Sequence, residues 1–295
     1  MKFKYLVIGG SGFIGTNLCK ALLQEGNEVI CIDNLSSSNM TNVNLLKKFK
    51  KYKYVPADIA NTEITHDATM IYNLASPTAP GDFKRDPIAT LKSNVLGVIN
   101  ILESAVELKI PVVHLSTVRV HETDHLNKNA CYTEGKRVAE TICNEYSEKY
   151  GLDIKIVRLF SIYGKHMAKH DSRVIPQFIT KALNNEDITL WGDGTQEDSF
   201  LYVDDLISLL LTIRAYSFSS PITIGNKKFI SIKYLAKQII KLTESKSKIK
   251  FVNPDFKAPV RNDIDFYNIS DIWEQKVSLT DGLIQTIQYY TKLIK

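Results

Sequence analysis

The chain is poor in cysteine and histidine and has no long apolar run, and each shortage removes a class of protein. Its 295 residues include four cysteines, Cys19, Cys31, Cys131 and Cys143. Their intervals match neither a zinc site nor a redox pair, so they read as reduced thiols in a cytoplasmic protein. No apolar stretch approaches the length that spans a bilayer, so a membrane is not an expected partner. The first apolar run, Tyr5-Leu6-Val7-Ile8, leads into glycines rather than a cleavage site, and is expected to be a buried strand and not a signal peptide. Zinc spacings, aromatic stacking platforms and basic helices are missing, so nucleic acid is not expected either. The net charge of +5 comes mostly from scattered lysines. The one cluster, Lys47, Lys48, Lys50, Lys51 and Lys53, reads as a solvated surface segment rather than a patch for an acidic partner. His166 and His170 are spaced i, i+4 without an evident third ligand, so no metal is expected.

What remains is ordinary globular chemistry: 44% hydrophobic and 23% charged residues, in a chain long enough for one large or two moderate domains. The apolar run at Tyr5 suits a parallel strand covered on both faces. It is followed by Gly9-Gly10-Ser11-Gly12-Phe13-Ile14-Gly15 and then by apolar residues at helical spacing, Ile14, Leu18, Ala21 and Leu22. Gly26 caps that helix, and Val29-Ile30-Cys31-Ile32 is a second strand with Asp33 at its carboxyl end. Glycines belong there because the backbone must turn tightly and let a pyrophosphate approach the helix N-terminus. The strand, glycine loop, helix, strand and acid in this order form a dinucleotide-binding unit. Asp33 is placed for the adenosine ribose hydroxyls, and its charge repels a 2′-phosphate, which favours NAD over NADP.

The alternation continues. Tyr54–Ile59 is expected to end a third strand, with Asp58 placed to meet the adenine amine. Met70–Ala75 is a fourth strand, Pro87–Lys109 a helix, and Pro111–Thr117 a fifth strand ending in a hydroxyl pair. Ligands sit beyond the carboxyl ends of such strands. Next, Ala130-Cys131-Tyr132-Thr133-Glu134-Gly135-Lys136 sets a tyrosine four residues before a lysine on one helix face. An ammonium near a phenol favours the phenolate, which can then take a proton from a sugar hydroxyl near neutral pH.

With these residues the chain resembles, over nearly its whole length, the extended short-chain dehydrogenase/reductases that act on nucleotide sugars. Its motifs are most similar to those of UDP-glucuronate decarboxylases: Leu74-Ala75-Ser76-Pro77, the Tyr132 segment, Arg158–Gly164, Arg173-Val174-Ile175-Pro176 and Trp191–Gln196, which runs on to Phe200–Asp205. The resemblance implies a Rossmann-type doubly wound parallel sheet in an NAD-binding domain, residues 1–163. A smaller α/β portion, residues 164–295, would bind the nucleotide sugar, with the chain able to cross back. It implies NAD bound by Gly9, Gly12, Phe13, Ile14, Gly15, Asp33, Asn34, Asp58, Ile59, Leu74, Ala75, Ser76, Tyr132 and Lys136. Tyr132, Lys136 and Thr117 would be catalytic. The phenolate would take the proton of the sugar 4-hydroxyl while NAD receives the C4 hydride. Arg119, Ser161, Arg173, Val174, Trp191 and Arg261 would meet the substrate. Trp191 is equally well read as a core aromatic of the second domain. The helix 87–109 and the helix carrying Tyr132 and Lys136, with Val138, Ala139, Ile142 and Tyr146, would pair in a homodimer or homotetramer, or else pack only within the monomer.

The sequence departs from that family after the first step. Where decarboxylases read Ser-Thr-Ser-Glu-Val-Tyr, this chain reads Ser116-Thr117-Val118-Arg119-Val120-His121, and the acid position of dehydratases is Val118. The arginine before Ala-Cys-Tyr is Asn129, and a diphosphate-gripping arginine is Asp198, whose charge would repel a pyrophosphate. Elimination of water needs a positioned acid and base, which argues against a dehydratase. The expected activity is NAD-dependent oxidation at C4 of a nucleotide sugar that stops at the ketone, with a GDP-heptose 4-dehydrogenase as one candidate. A 4-epimerase and a UDP-glucuronate decarboxylase are the alternatives within this chemistry. A non-catalytic NAD sensor stands outside it, and the retained Tyr132 and Lys136 count against it.

Overall fold

The computed structural model describes residues 3–122, 124, 126, 129–253, 266–267 and 269–294. The chain divides into two compact units, Met1–Leu159 with Leu210–Ile222, and Phe160–Leu209 with Thr223–Lys295.

The first unit is built by alternation. Its elements are β1 (Lys4–Ile8), α1 (Phe13–Gln24), β2 (Glu28–Ile32), α2 (Met40–Leu46), β3 (Tyr52–Val55), β4 (Met70–Asn73), α3 (Pro80–Arg85), α4 (Pro87–Leu108), β5 (Val112–Thr117), α5 (Ala130–Tyr150) and β6 (Ile154–Leu159). The five pairings among β1 to β6 are all parallel, and the order β6-β5-β4-β1-β2-β3 turns at β1, the doubly wound arrangement expected from the sequence. β10 (Ile222–Ile224) falls where the chain passes from the first unit to the second.

Parallel strands lie under helices on both faces, which is why they read as unbroken apolar runs. One face is filled by Leu6, Ile8, Ile32, Ile71 and Val112 against Val98, Ile101 and Leu102 of α4 and Ala139 and Cys143 of α5. Local signals set the helix ends. The Asp86 side chain accepts the N–H of Ala89 and Pro87 opens α4, while Lys109, in the left-handed region at φ 54°, closes it. Gly151 at φ 67° ends α5 in the same way.

Two strands end earlier than the sequence pattern predicts. β3 stops at Val55 because Pro56 has no N–H for the ladder, and Asp58 instead closes a turn by accepting the Ala60 amide at 2.9 Å. β4 stops at Asn73, leaving Leu74 and Ala75 in the loop beyond the sheet.

The second unit carries β7 (Ser161–Tyr163), α6 (Val174–Leu183), β8 (Ile188–Trp191), β9 (Glu197–Tyr202), β11 (Phe229–Ser231), α8 (Ile232–Leu242), β12 (Ile249–Val252) and α9 (Leu279–Ile294), and α7 (Val203–Ile213) begins in it. β9 pairs parallel with β7 and antiparallel with β11, and β8 pairs with β12. Asp205 accepts the amides of Lys276 and Val277 and so ties α7 to the segment that leads into α9. Among the described residues, no helix is long and apolar enough to cross a membrane.

Ile101, fully buried in the α4 contact, tests this core. Ile101→Ala is expected to lower the unfolding free energy by about 2–5 kcal/mol in urea titration, whereas a loss below about 0.5 kcal/mol would place α4 elsewhere.

Candidate active site

The glycine loop forms the floor of the first unit's pocket. Gly9 is in the left-handed region at φ 73°, and a Cβ there would stand 2.8 Å from the Ala75 backbone nitrogen. A Cβ on Gly15 would run into the Gly9 carbonyl, so α1 can start this close to β1 only without side chains. Gly12, the N-cap of α1, brings no side-chain oxygen to the first-turn amides, and no acidic residue lies in that turn. The positive end of the helix is therefore left for an anion.

The pocket above this floor has a volume of about 290 Å³ and is lined by Gly9, Gly12, Asp33, Asn34, Asp58, Ile59, Leu74, Ala75 and Ser76. The structure thus gathers in one place residues that the sequence brings from four strand ends. Phe13, Ile14 and Gly15 sit in the first turn of α1 behind it. Asp33 is held by three donors: the amides of Ser11 at 2.9 Å and Leu35 at 2.8 Å, and the Ser38 hydroxyl at 3.0 Å. Its carboxylate is fixed in place, ready for further donors such as ribose hydroxyls. Ser36, Arg85 and Asp86, not singled out from the sequence, also line the pocket. Arg85 reaches across to the Ser36 carbonyl at 2.6 Å. This donor and acceptor set fits a dinucleotide without a 2′-phosphate.

At the carboxyl end of β5 the second group of candidates meets. Tyr132 and Lys136 lie on one face of α5, and both are buried. The Tyr132 ring stacks on Phe83 at 5.3 Å with planes 6° apart. Lys136 Nζ donates to the Leu115 carbonyl at 2.8 Å. Burial lowers its pKa to about 8, opposed by electrostatic interaction with Cys143 and Glu140. Glu140, one turn further on, accepts from Ser116 Oγ and from the guanidinium of Arg158. The face therefore carries a phenol, an ammonium and a carboxylate in succession. Thr117 accepts the Arg119 amide on its hydroxyl oxygen at 3.3 Å, which leaves the hydroxyl proton for another acceptor.

Arg119 stands on a short 3-10 turn, Val118–His121, directly after β5, and pairs with Glu122 at 3.1 Å. The turn is held from α5, where Arg137 donates to the carbonyls of Val120 and Glu122 at 2.7 Å. A carboxylate is thus present beside the guanidinium, although not at the position where the motif suggested one.

The candidates of the second unit are placed differently. Ser161 donates to Asp198 at 2.7 Å, so this acid holds a neighbouring hydroxyl. Arg173 is clamped by Asp171 through Nε at 2.9 Å and Nη2 at 2.5 Å, with Val174 opening α6 beside it. Trp191 ends β8 and is 63% exposed, which excludes the core-aromatic alternative. Arg261 lies outside the described residues. Phe83, Glu122, Arg137 and Glu140 were not singled out from the sequence; only Glu140, at i+4 from Lys136, carried a local signal.

The displaced pKa of Lys136 has a consequence for stability. Between about 8 and the ordinary 10.5, the unfolded chain binds a proton at Lys136 that the folded chain does not. Stability contributed at this site therefore rises with pH across that window. Compared with Lys136→Met, the wild type is expected to gain up to about 3 kcal/mol between pH 7 and 10.5, measured as the difference in urea unfolding free energy. A pH-independent difference would show that the amine is solvated.

The family model described as "NAD dependent epimerase/dehydratase family" matches residues 5–223. The chain is 32% identical to UDP-glucuronic acid decarboxylase 1 of Danio rerio, over 98% of this chain and 73% of that protein. It is also 32% identical to UDP-glucuronic acid decarboxylase 6 of Arabidopsis thaliana, over 95% of this chain and 86% of that one. Among solved structures, UDP-glucuronic acid 4-epimerase from Bacillus cereus, in complex with UDP-glucuronic acid and NAD, superposes with a TM-score of 0.87 at 25% identity, over 98% of this chain and 99% of that one. With a glycine cradle, a fixed acid and a buried tyrosine–lysine helix face in place, the chain belongs to the NAD dependent epimerase/dehydratase family of enzymes.

Proposed function

We propose that this enzyme oxidises C4 of a nucleotide-activated sugar to the 4-ketone, with Tyr132 as proton acceptor. The observation that carries the reading is the buried Tyr132–Lys136 face above the Leu115 carbonyl. The sugar 4-hydroxyl gives its proton to the Tyr132 phenolate, which the Lys136 ammonium favours. Stacking on Phe83 keeps the phenol from turning away. Thr117 orients the same hydroxyl. NAD, when bound against the glycine loop and Asp33, supplies the hydride acceptor.

The fate of the ketone is set at the turn after β5. Arg119 occupies a place where decarboxylases carry glutamate and is tied to Glu122, so the carboxylate of this turn is engaged by a guanidinium rather than presented at position 119 for a second step. The reaction therefore ends as a net 4-dehydrogenation, with a GDP-heptose among the candidate substrates. The relatives of 32% identity favour a second reading, decarboxylation of UDP-glucuronate. Ile88 and Leu96 on α4 and Val138 and Tyr150 on α5 are exposed apolar side chains, which supports assembly of two or four copies through these helices.

Purified protein incubated with UDP-, dTDP- and GDP-sugars separates the readings by NADH absorbance and product mass. Net oxidation gives NADH and a product lighter by two hydrogens. An isomer of unchanged mass would replace it with epimerisation, and loss of carbon dioxide with decarboxylation. Tyr132→Phe is expected still to bind NAD, less the contact of the phenol oxygen, and to lose at least about a hundredfold in oxidation rate; undiminished turnover would remove Tyr132 from the chemistry. Arg119→Glu should leave NAD affinity unchanged in calorimetry, and weakened binding would put Arg119 at the cofactor instead.

A further inference from the structure

His114 lies in the middle of β5 among Val112, Val113 and Leu115 and is 1% exposed. Its Nδ1 is 3.0 Å from Asn73 Nδ2. The other end of the Asn73 amide fixes which group faces the ring, because Oδ1 accepts the Ala75 N–H at 3.3 Å. An amide nitrogen only donates, so Nδ1 accepts and the ring proton sits on Nε2. That nitrogen is buried without a partner among the described residues. A buried donor with no acceptor costs free energy, and a leucine at this position would avoid the cost. The ring must offset it through its one bond, the acceptance of the Asn73 amide. Burial and the Lys136 charge both lower the pKa of the ring, which keeps it neutral.

That bond leads to the pocket. Ala75, whose amide Asn73 holds, is the residue against which Gly9 closes, and both line the cavity. Leu115, next to His114, supplies the carbonyl for Lys136. One row of contacts thus runs from the pocket wall to the strand position that holds Lys136.

We propose that His114 is a positioning residue for the cofactor pocket. As a fixed acceptor it keeps the Asn73 oxygen on the Ala75 amide, and so keeps the Leu74–Ser76 wall against Gly9. Without it the Asn73 amide is free to turn over and release Ala75. The inference rests on the reading that this pocket takes NAD.

The test is calorimetric titration of NAD into the wild type, His114→Leu, His114→Gln, Asn73→Leu and the double leucine variant, with melting temperatures of the cofactor-free proteins. His114→Leu and Asn73→Leu should each weaken NAD about tenfold, and the double variant no more than either. His114→Gln, whose Oε1 can accept the same amide, should recover most of the affinity. A general packing defect would instead lower the melting temperature of the glutamine variant along with its affinity. Should His114→Leu fail to fold, Asn73→Leu and His114→Gln still decide the matter. A wild type that does not bind NAD refutes the reading of the pocket. A wild type that binds, with leucine variants that bind equally well or a glutamine variant that restores nothing, refutes the role of His114.

Discussion

The enclosure of one ammonium group, that of Lys136, is the constraint on which the first unit depends. A primary amine taken out of water tends to lose its proton, and here the Leu115 backbone carbonyl accepts from it. Glu140, the nearby carboxylate, already serves Arg158 and Ser116, so it acts on the amine through its field alone. The result is a charge held near its tipping point beside a buried phenol. Maintaining it requires α5 to sit tightly on β5 and α4. Gly135 allows that approach, since a Cβ there would stand 3.2 Å from Asn94 Cβ.

Much of the first unit was legible because its signals are local. A glycine loop between a strand and a helix, an acid after the next strand and a tyrosine four residues before a lysine each lie within one stretch of chain. Periodicity reveals one element at a time, and that is where legibility ended. Phe83 stacks on Tyr132 from a short helix 49 residues earlier, as the gap from 83 to 132 shows. Asn73 and His114 lie on adjacent strands and meet only through their register. The early end of β3 was available from Pro56, but the apolar residues on both sides of it hid the break.

The second unit shows a different limit. Sequence types suggested which side chains carry charge but not whether that charge is already answered. Arg173 was expected to meet substrate, and the structure gives it Asp171 two residues away. Asp198 was expected to repel a diphosphate, and the structure turns it to Ser161. Arg173 is ion-paired and Asp198 accepts from a hydroxyl, so an anionic group approaching Arg173 has to compete with Asp171.

The support of the turn after β5 bears on how such enzymes diversify. Arg137 on α5 holds the backbone of that turn by its carbonyls, so part of the turn's shape is set from the helix, beside the Arg119–Glu122 pair within the turn. Position 119 is partly exposed and can change its side chain at a smaller cost than Val118, which is buried. The turn and the Tyr132–Lys136 face of α5 are thus built from separate stretches of chain. A substitution at 119 can therefore alter the turn while the sequence of that face passes unchanged from one chain to the next.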